Sequence, residues 1–314
     1  MGPPRCAETR RHAGARSGPG SRIVTESGEF RRLHNLHIRA GQPTPEARTG
    51  GGDAAGEVVE IGRGVTGIKP GDRVMGRYAG GFAEFALLDA REVMPAPERL
   101  SWEEAACIPI VFVVVHDALF VSSQLRAGET VLVTAAPSGV GVATLLLAKH
   151  LGATVIGTSR SAAKLERLKA HGLDRGVVTG SEGFGEAVSR VIGDKGMDMA
   201  VDNIGGDVLG PCLKILAVGG RFVTIGRMSG VTKGELDVDL VAERRLHLYG
   251  VSNRLRAPAQ RAESAKRFLA DLLPALADGR LRPVIDRSFP LEEIAAAGAW
   301  LEADKHVGKV VIRT

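Results

Sequence analysis

The chain has 314 residues, a formal charge of +5, and 44% hydrophobic, 25% charged and 4% aromatic residues. That length suits two domains with cores of their own, and the balance is that of a soluble globular protein. With so few aromatics, the cores must be built from Val, Leu, Ile and Ala.

The first 22 residues combine Gly, Pro and Arg without periodicity, and the expectation for 1–22 is a disordered basic tail. Its arginines have no aromatics between them, so a nucleic-acid arm is not expected. It has no apolar stretch of the kind a secretory signal requires. Cys6, Cys107 and Cys212 stand far apart with no CxxC pair. This argues against a disulfide scaffold and a clustered zinc site, and it suits a reducing, cytoplasmic compartment.

From Gly50 to about Pro97 the chain reads as short strands cut by turns: "GEVVEIG", "KPGDRVMG" and "GGFAEFALLD". The spacing predicts a small barrel or sandwich. "SWEEAACIP" then opens a helix, with Ser101 and Glu104 spaced as a capping box. The longest apolar run, "CIPIVFVVVHDALFV", is interrupted by His116 and Asp117 and is too short to span a bilayer.

Beyond it, strands and helices alternate. The strands are "TVLVTA", "TVIGTS", "GVVT", "MAVDNI", "RFVTIG" and "LHLYGVS"; the helices run from Gly139 to about Leu151 and from Ala162 to about Ala170, and start near Phe184 and Val208. Such alternation predicts right-handed βαβ crossovers and a doubly wound parallel sheet. A long helix after Arg261 precedes a last segment that ends in a strand and returns to the first domain.

The turn "TAAPSGVGVAT" joins the first of these strands to a helix. Ser138, Gly139, Val140, Gly141 and Val142 stand where backbone N–H groups and the helix dipole bind a pyrophosphate. The glycines permit close approach, and Ala143 lets the helix sit tightly on the sheet. A lone GxG is weak; the strand before, the helix after and the second strand at the expected distance make this a dinucleotide site.

That second strand ends in "GTSR". A carboxylate there would select NAD by holding the ribose hydroxyls. The chain has Ser159 and Arg160 instead, with Lys164 one turn later. These groups suit a 2′-phosphate, so the expected cofactor is NADPH.

"GDAAGEVVEIGRGVTGIKPGDRVMG", "GGFAEFALLD", the Gly-rich turn, "VDNIGGD", "LAVGGRFVTIG" and "HVGKVVI" together resemble the medium-chain dehydrogenase/reductase superfamily, in its zinc-independent quinone oxidoreductase-like branch. The likeness runs from about Phe30 to the C-terminus. It implies a GroES-like β-barrel catalytic domain (23–111 and 259–314) split by a Rossmann NADP(H) domain (112–258), and a homodimer. It implies quinones, enones or similar conjugated carbonyls as small-molecule substrates, with no membrane or nucleic-acid partner. Asn203, Gly226 and Asn253 are the further cofactor-binding candidates, Asn203 through its backbone. For Asn253 the alternative is an ordinary turn residue.

No metal is expected. Zinc-dependent members carry Gly-His-Glu where this chain has Gly51, Gly52 and Asp53, so the ligand histidine is Gly52. Without a metal, a hydrogen-bond donor must stabilise the anion that develops on the substrate oxygen. The family's N-x-x-D-x-x-x-R-x-G matches "RLHNLHIRAG", which places Arg32, Asn35 and His37 at altered first positions. They are the catalytic candidates, although Arg32 also reads as surface charge and His37 as a half-exposed helical histidine. Val114 stands where a threonine is common, and Thr179 where a tyrosine is. The space that two early barrel strands occupy in relatives holds the basic tail here, which the resemblance reads in one of two ways: a barrel short of its first strands, or a wrongly assigned start. Two alternatives stand beside quinone or enone reduction. One is a catalytically weak NADPH-binding protein with a structural or regulatory role. The other is an enoyl-thioester reductase.

Overall fold

The computed structural model describes residues 22–31, 50–78, 80–179, 183–192 and 195–314, with side chains from residue 50 onward. Residues 1–21 lie outside it, and so do Arg32, Asn35 and His37. The chain divides into two compact units, residues 1–110 with 257–314, and residues 111–256.

The first unit is built on strands β1 (Arg22–Arg31), β2 (Asp53–Ile61), β3 (Arg73–Arg77), β4 (Phe85–Asp89), β5 (Met94–Pro95), β12 (Ile285–Pro290) and β13 (Lys309–Arg313). They form one sheet in the order β12-β13-β1-β2-β3-β5, with β4 also paired to β1. All pairings are antiparallel except β12 with β13. β1 is a strand before residue 50 that local pattern did not announce. "RIVTESGEFR" lacks an apolar alternation; its backbone is satisfied instead by distant partners on β2, β4 and β13, the sort of context that overrides propensity.

Ala54, Val58, Val74, Tyr78, Leu88, Phe289, Val310 and Ile312 fill this unit's core, and Tyr78 is buried there. Beside it helix α1 (Trp102–Ala106) begins with the expected box: Ser101 Oγ accepts from the Glu104 N–H, and the Ser101 N–H donates to Glu104. Buried charges in this unit are paired. Lys309 Nζ lies 3.4 Å from Asp53, and Arg261 lies 2.7 Å from Glu92.

The second unit opens with α2 (Val111–His116), every residue of which is buried, and a π-helical turn, Asp117–Ser122. There follow β6 (Thr130–Val133), α3 (Gly139–His150), β7 (Thr154–Ser159), α4 (Ala162–Lys169), β8 (Arg175–Val178), α5 (Phe184–Ile192), β9 (Met197–Asp202), α6 (Leu209–Lys214), β10 (Leu216–Thr224), α7 (Val238–Glu243) and β11 (His247–Gly250). The strands order as β11-β10-β9-β6-β7-β8, all parallel. From β6 the chain winds outward one way through β7 and β8, then returns to β9 and winds the other way. That is the doubly wound order of a Rossmann sheet, with its switch point between β6 and β9.

Small apolar side chains make this core, as the low aromatic content requires. Leu132, Ile156, Val188, Ala200, Leu213 and Leu216 are all buried. Cys107 and Cys212 are both buried, and burial pushes the Cys212 thiol well above its ordinary value. No helix among the described residues is long and apolar enough to cross a membrane.

At the amino ends of the strands, Arg221 on β10 ties several segments together. Its guanidinium lies 2.6 Å from Glu129 and donates to the carbonyls of Ser123, Gln124 and Asp198. Replacing it strands those acceptors around a largely buried site. Arg221→Ala is therefore expected to cost about 3 kcal/mol, lowering Tm by roughly 6–12 °C. Arg221→Lys should recover only part, because an ammonium cannot reach four acceptors at once. Thermal unfolding of the three proteins tests this; a change of less than about 1 kcal/mol in Arg221→Ala contradicts it.

Candidate active site

The residues expected to hold a dinucleotide gather at one place, the carboxyl edge of the parallel sheet. The turn after β6 runs from Thr134 to Ser138. Ala135 there adopts φ 47°, a left-handed conformation uncommon for any residue but glycine. The Ser138 N–H donates to the Ala135 carbonyl, and the Ala136 N–H to Thr158 on β7. Ser138 is extended (φ −68°, ψ 162°) and caps α3, its Oγ accepting from the Gly141 N–H at 3.0 Å.

Gly141 is needed for an internal reason. A Cβ at that position would lie 2.5 Å from the Ala135 carbonyl oxygen and 2.6 Å from that of Ala136, so the helix packs onto its own turn. The Val142 N–H donates to the Ser138 carbonyl, and the Val142 side chain is buried. That leaves the N–H groups of Gly139 and Val140 as the donors this helix start can offer. The first turn of α3 holds no acidic residue, which keeps its positive dipole end uncompensated.

At the end of β7, Ser159 is half-buried and Arg160 exposed. Ser159 Oγ accepts from the Ser161 N–H at 3.1 Å, and Ser161 Oγ caps α4 through the Lys164 N–H. Lys164 is 9% exposed. Thr179, following β8, donates its N–H to the Ser159 carbonyl and so sits at this same corner.

At the end of β9 lies a buried network in which local pattern marked only Asn203. Asp202 is 1% exposed. Its carboxylate accepts from Thr134 Oγ1 at 2.8 Å and from the N–H groups of Ile204 and Gly205, each at 2.9 Å. Thr134 Oγ1 accepts from the Asn203 N–H, and Asn203 Nδ2 donates to the Thr134 carbonyl. Burial pushes the Asp202 carboxyl above its ordinary range, while these donors pull it back. The sequence signal was an acid ending an apolar strand, "MAVD", where a charge must find partners.

Gly226 follows β10. Its N–H lies 3.3 Å from the Asp202 carbonyl, and a Cβ would stand 2.7 Å from the Asn203 carbonyl oxygen. Asn253 follows β11 and is half-buried. Three side-chain oxygens at the ends of separate strands, Thr158 Oγ1, Asn203 Oδ1 and Asn253 Oδ1, are buried with no hydrogen-bond partner. A buried polar atom left unsatisfied costs free energy and calls for an explanation.

The other position weighed for a ligand role is Gly52. A Cβ there would meet Ile110 Cδ1 at 3.1 Å, and its carbonyl accepts from the Tyr78 N–H. Among the described residues no group of three or more His, Cys, Asp or Glu side chains is placed to hold a metal ion.

Comparison with known proteins places this geometry. Residues 174–312 match the zinc-binding dehydrogenase family and residues 30–98 the alcohol dehydrogenase GroES-like domain. Among curated proteins, the spectinabilin polyketide synthase system protein NorB of Streptomyces orinoci is 37% identical over 268 residues, covering 85% of this chain. The polyketide synthase GfsB of Streptomyces halstedii is 35% identical over 264 residues, covering 83%. The chain spans only 12% and 4% of the length of these two relatives.

Among solved structures, an NAD-dependent alcohol dehydrogenase superposes with TM-score 0.83 at 30% identity, over 97% of this chain and 95% of its own. Mycobacterial Rv1454c complexed with NADPH gives TM-score 0.83 at 25% identity, over 98% of both chains. The CurK enoyl reductase shares the fold, with TM-score 0.78 at 24% identity over 96% and 93%. With these likenesses spanning both units, the chain belongs to the medium-chain dehydrogenase/reductase superfamily and is an oxidoreductase.

Proposed function

We propose that this oxidoreductase is an NADPH-dependent enoyl-thioester reductase. The observation that carries the reading is the long match, at 37% and 35% identity, to segments of two polyketide synthases. A polyketide chain grows as a thioester, so an oxidoreductase segment of such a synthase meets double bonds conjugated to a thioester carbonyl. Reduction of a quinone or enone, the first expectation from sequence, uses the same hydride chemistry, but these relatives favour the thioester.

The residues present fit NADPH. Gly139 and Val140 offer N–H groups to a pyrophosphate at the start of a twelve-residue helix. Arg160 and Lys164 put two cations, and no carboxylate, at the end of β7, where a 2′-phosphate falls in a Rossmann unit. Ser159 and Thr179 flank them. Asn203, Gly226 and Asn253 line the β9–β11 half, where the nicotinamide nucleoside lies in such folds. Bound there, NADPH supplies the hydride. The chain's part is to hold the conjugated carbonyl polarised while hydride reaches the β-carbon and a proton the α-carbon. Arg32, Asn35 and His37 remain the candidates for that polarising donor. We also assign a homodimer through the edge strand β11, whose outer side presents Leu248 at 42% exposure and backbone groups that would pair with a second copy.

The purified protein should oxidise NADPH with crotonyl thioesters of coenzyme A or pantetheine at a kcat/KM at least tenfold above that with benzoquinone or a simple enone. Consumption of quinone alone overturns the thioester assignment, and consumption of none of these overturns catalysis.

Arg160→Ala should weaken NADPH roughly 10- to 150-fold, the worth of one charge-assisted hydrogen bond, and leave NADH nearly unchanged. Ser159→Asp should go further and favour NADH, because the carboxylate repels the 2′-phosphate and accepts from the ribose hydroxyls. Fluorescence titration of both cofactors decides it; equal affinity of the wild type for NADH and NADPH contradicts the assignment. Light scattering at micromolar concentration should report twice the chain mass, and a monomer there contradicts the β11 pairing.

A further inference from the structure

The first residue of the π-helical turn, Asp117, has a side chain only 8% exposed, and it carries a carboxylate. A buried carboxylate needs a partner. Here the partner is Arg256, whose guanidinium lies 2.6 Å away, 139 residues further along the chain. Insertions of π-helix in an α-helix often mark functional places, and this one delivers its first side chain to the segment that follows β11.

That segment, residues 251–256, is lightly held. Val251 is buried and donates its N–H to the Thr224 carbonyl at one end. Between the ends the Arg254 N–H donates to Ser252 Oγ, a bond inside the segment itself, and Leu255 is 94% exposed. At the far end stands the Asp117–Arg256 pair. Asn253 lies midway, its Oδ1 buried and without a partner. In a doubly wound sheet the second mononucleotide half lies over the strands beyond the switch point, here β9, β10 and β11. The segment therefore borders the nicotinamide half and not the adenine half.

We propose that the Asp117–Arg256 ion pair is a positioning clamp, which fixes residues 251–256 so that Asn253 is set against the nicotinamide nucleoside. Asp117 and Arg256 touch no cofactor themselves; they act through the segment. The inference rests on the reading of this edge as the NADPH site. Its test separates the two halves of the cofactor by using adenosine 2′,5′-bisphosphate, which carries the adenine ribose and its 2′-phosphate but no nicotinamide.

Asp117→Asn and Arg256→Gln should each weaken NADPH roughly 3- to 30-fold, the range of coupling through a positioning element. Binding of adenosine 2′,5′-bisphosphate should stay within twofold of wild type, and Arg256→Lys should fall nearer wild type than Arg256→Gln. Equal weakening of both ligands, or of neither, overturns the clamp. Should the variants fail to fold, hydrogen exchange on the wild type decides. Backbone amides of residues 252–256 gain protection with NADPH and not with adenosine 2′,5′-bisphosphate; identical protection by the two ligands overturns the proposal. Failure of wild type to bind either ligand instead removes the NADPH reading on which the clamp rests.

Discussion

The carboxyl edge of the parallel sheet depends on one buried carboxylate. Asp202 ends β9 beside the turn that ends β6, at the point where the strand order reverses. Neighbouring loops at a switch point leave in opposite directions, so nothing in the helical crossovers holds them together. Asp202 does so by accepting from Thr134 and from two backbone N–H groups of its own loop, while Asn203 donates two further bonds to Thr134. A neutral side chain with one acceptor could not satisfy all three donors. The desolvation that raises the Asp202 carboxyl prevails, and the bonds that favour its charge counter only part of it. The arrangement fixes both the helix start that offers Gly139 and Val140 and the loop that carries Asn203.

The same device recurs through the molecule. Only 4% of residues are aromatic, and the cores of both units are built mainly from aliphatic side chains, with a few aromatics such as Tyr78, Phe289 and Phe222 among them. Such cores pack strands and helices well but reach poorly into irregular connections. Long arginine side chains fill that role. Arg221 collects three carbonyls and Glu129 at the amino edge of the sheet. Arg261 anchors the long helix Pro258–Ala277 to Glu92. Arg256 holds the segment after β11 to Asp117. Arginine suits these joints because its planar fork donates in several directions while staying charged. A joint of this kind stabilises little by itself, yet losing one partner leaves the other buried and uncompensated.

These joints also divide the labour of the site. Backbone groups and glycine positions come from the strand ends, where geometry is set by the sheet. Selectivity for the phosphorylated ribose is proposed for two cations at the end of β7, the exposed Arg160 and the nearly buried Lys164. A hydride-transfer enzyme needs this separation, because the cofactor brings the chemistry and the protein must supply position to within a fraction of an ångström.

Local pattern alone carried much of this. The alternation of strands and helices from Thr130 to Gly250, the Ser101–Glu104 capping box and the Gly-rich turn were legible, because each depends on residues close in sequence. So was the absence of a carboxylate after "GTS". Strand β1 was not legible, since its apolar residues follow no alternation and its hydrogen bonds all go to strands far along the chain. Nor was the role of Gly141, which serves the fit of α3 onto its own turn. The Thr134–Asp202–Asn203 network and the Asp117–Arg256 pair join residues 68 to 139 positions apart. Sequence by itself determined which residues could stand at a strand end or begin a helix, because propensity, capping and periodicity are local. Only the tertiary structure decided which buried charges meet, because that choice rests on pairing across the sheet and on the cost of leaving a desolvated group alone.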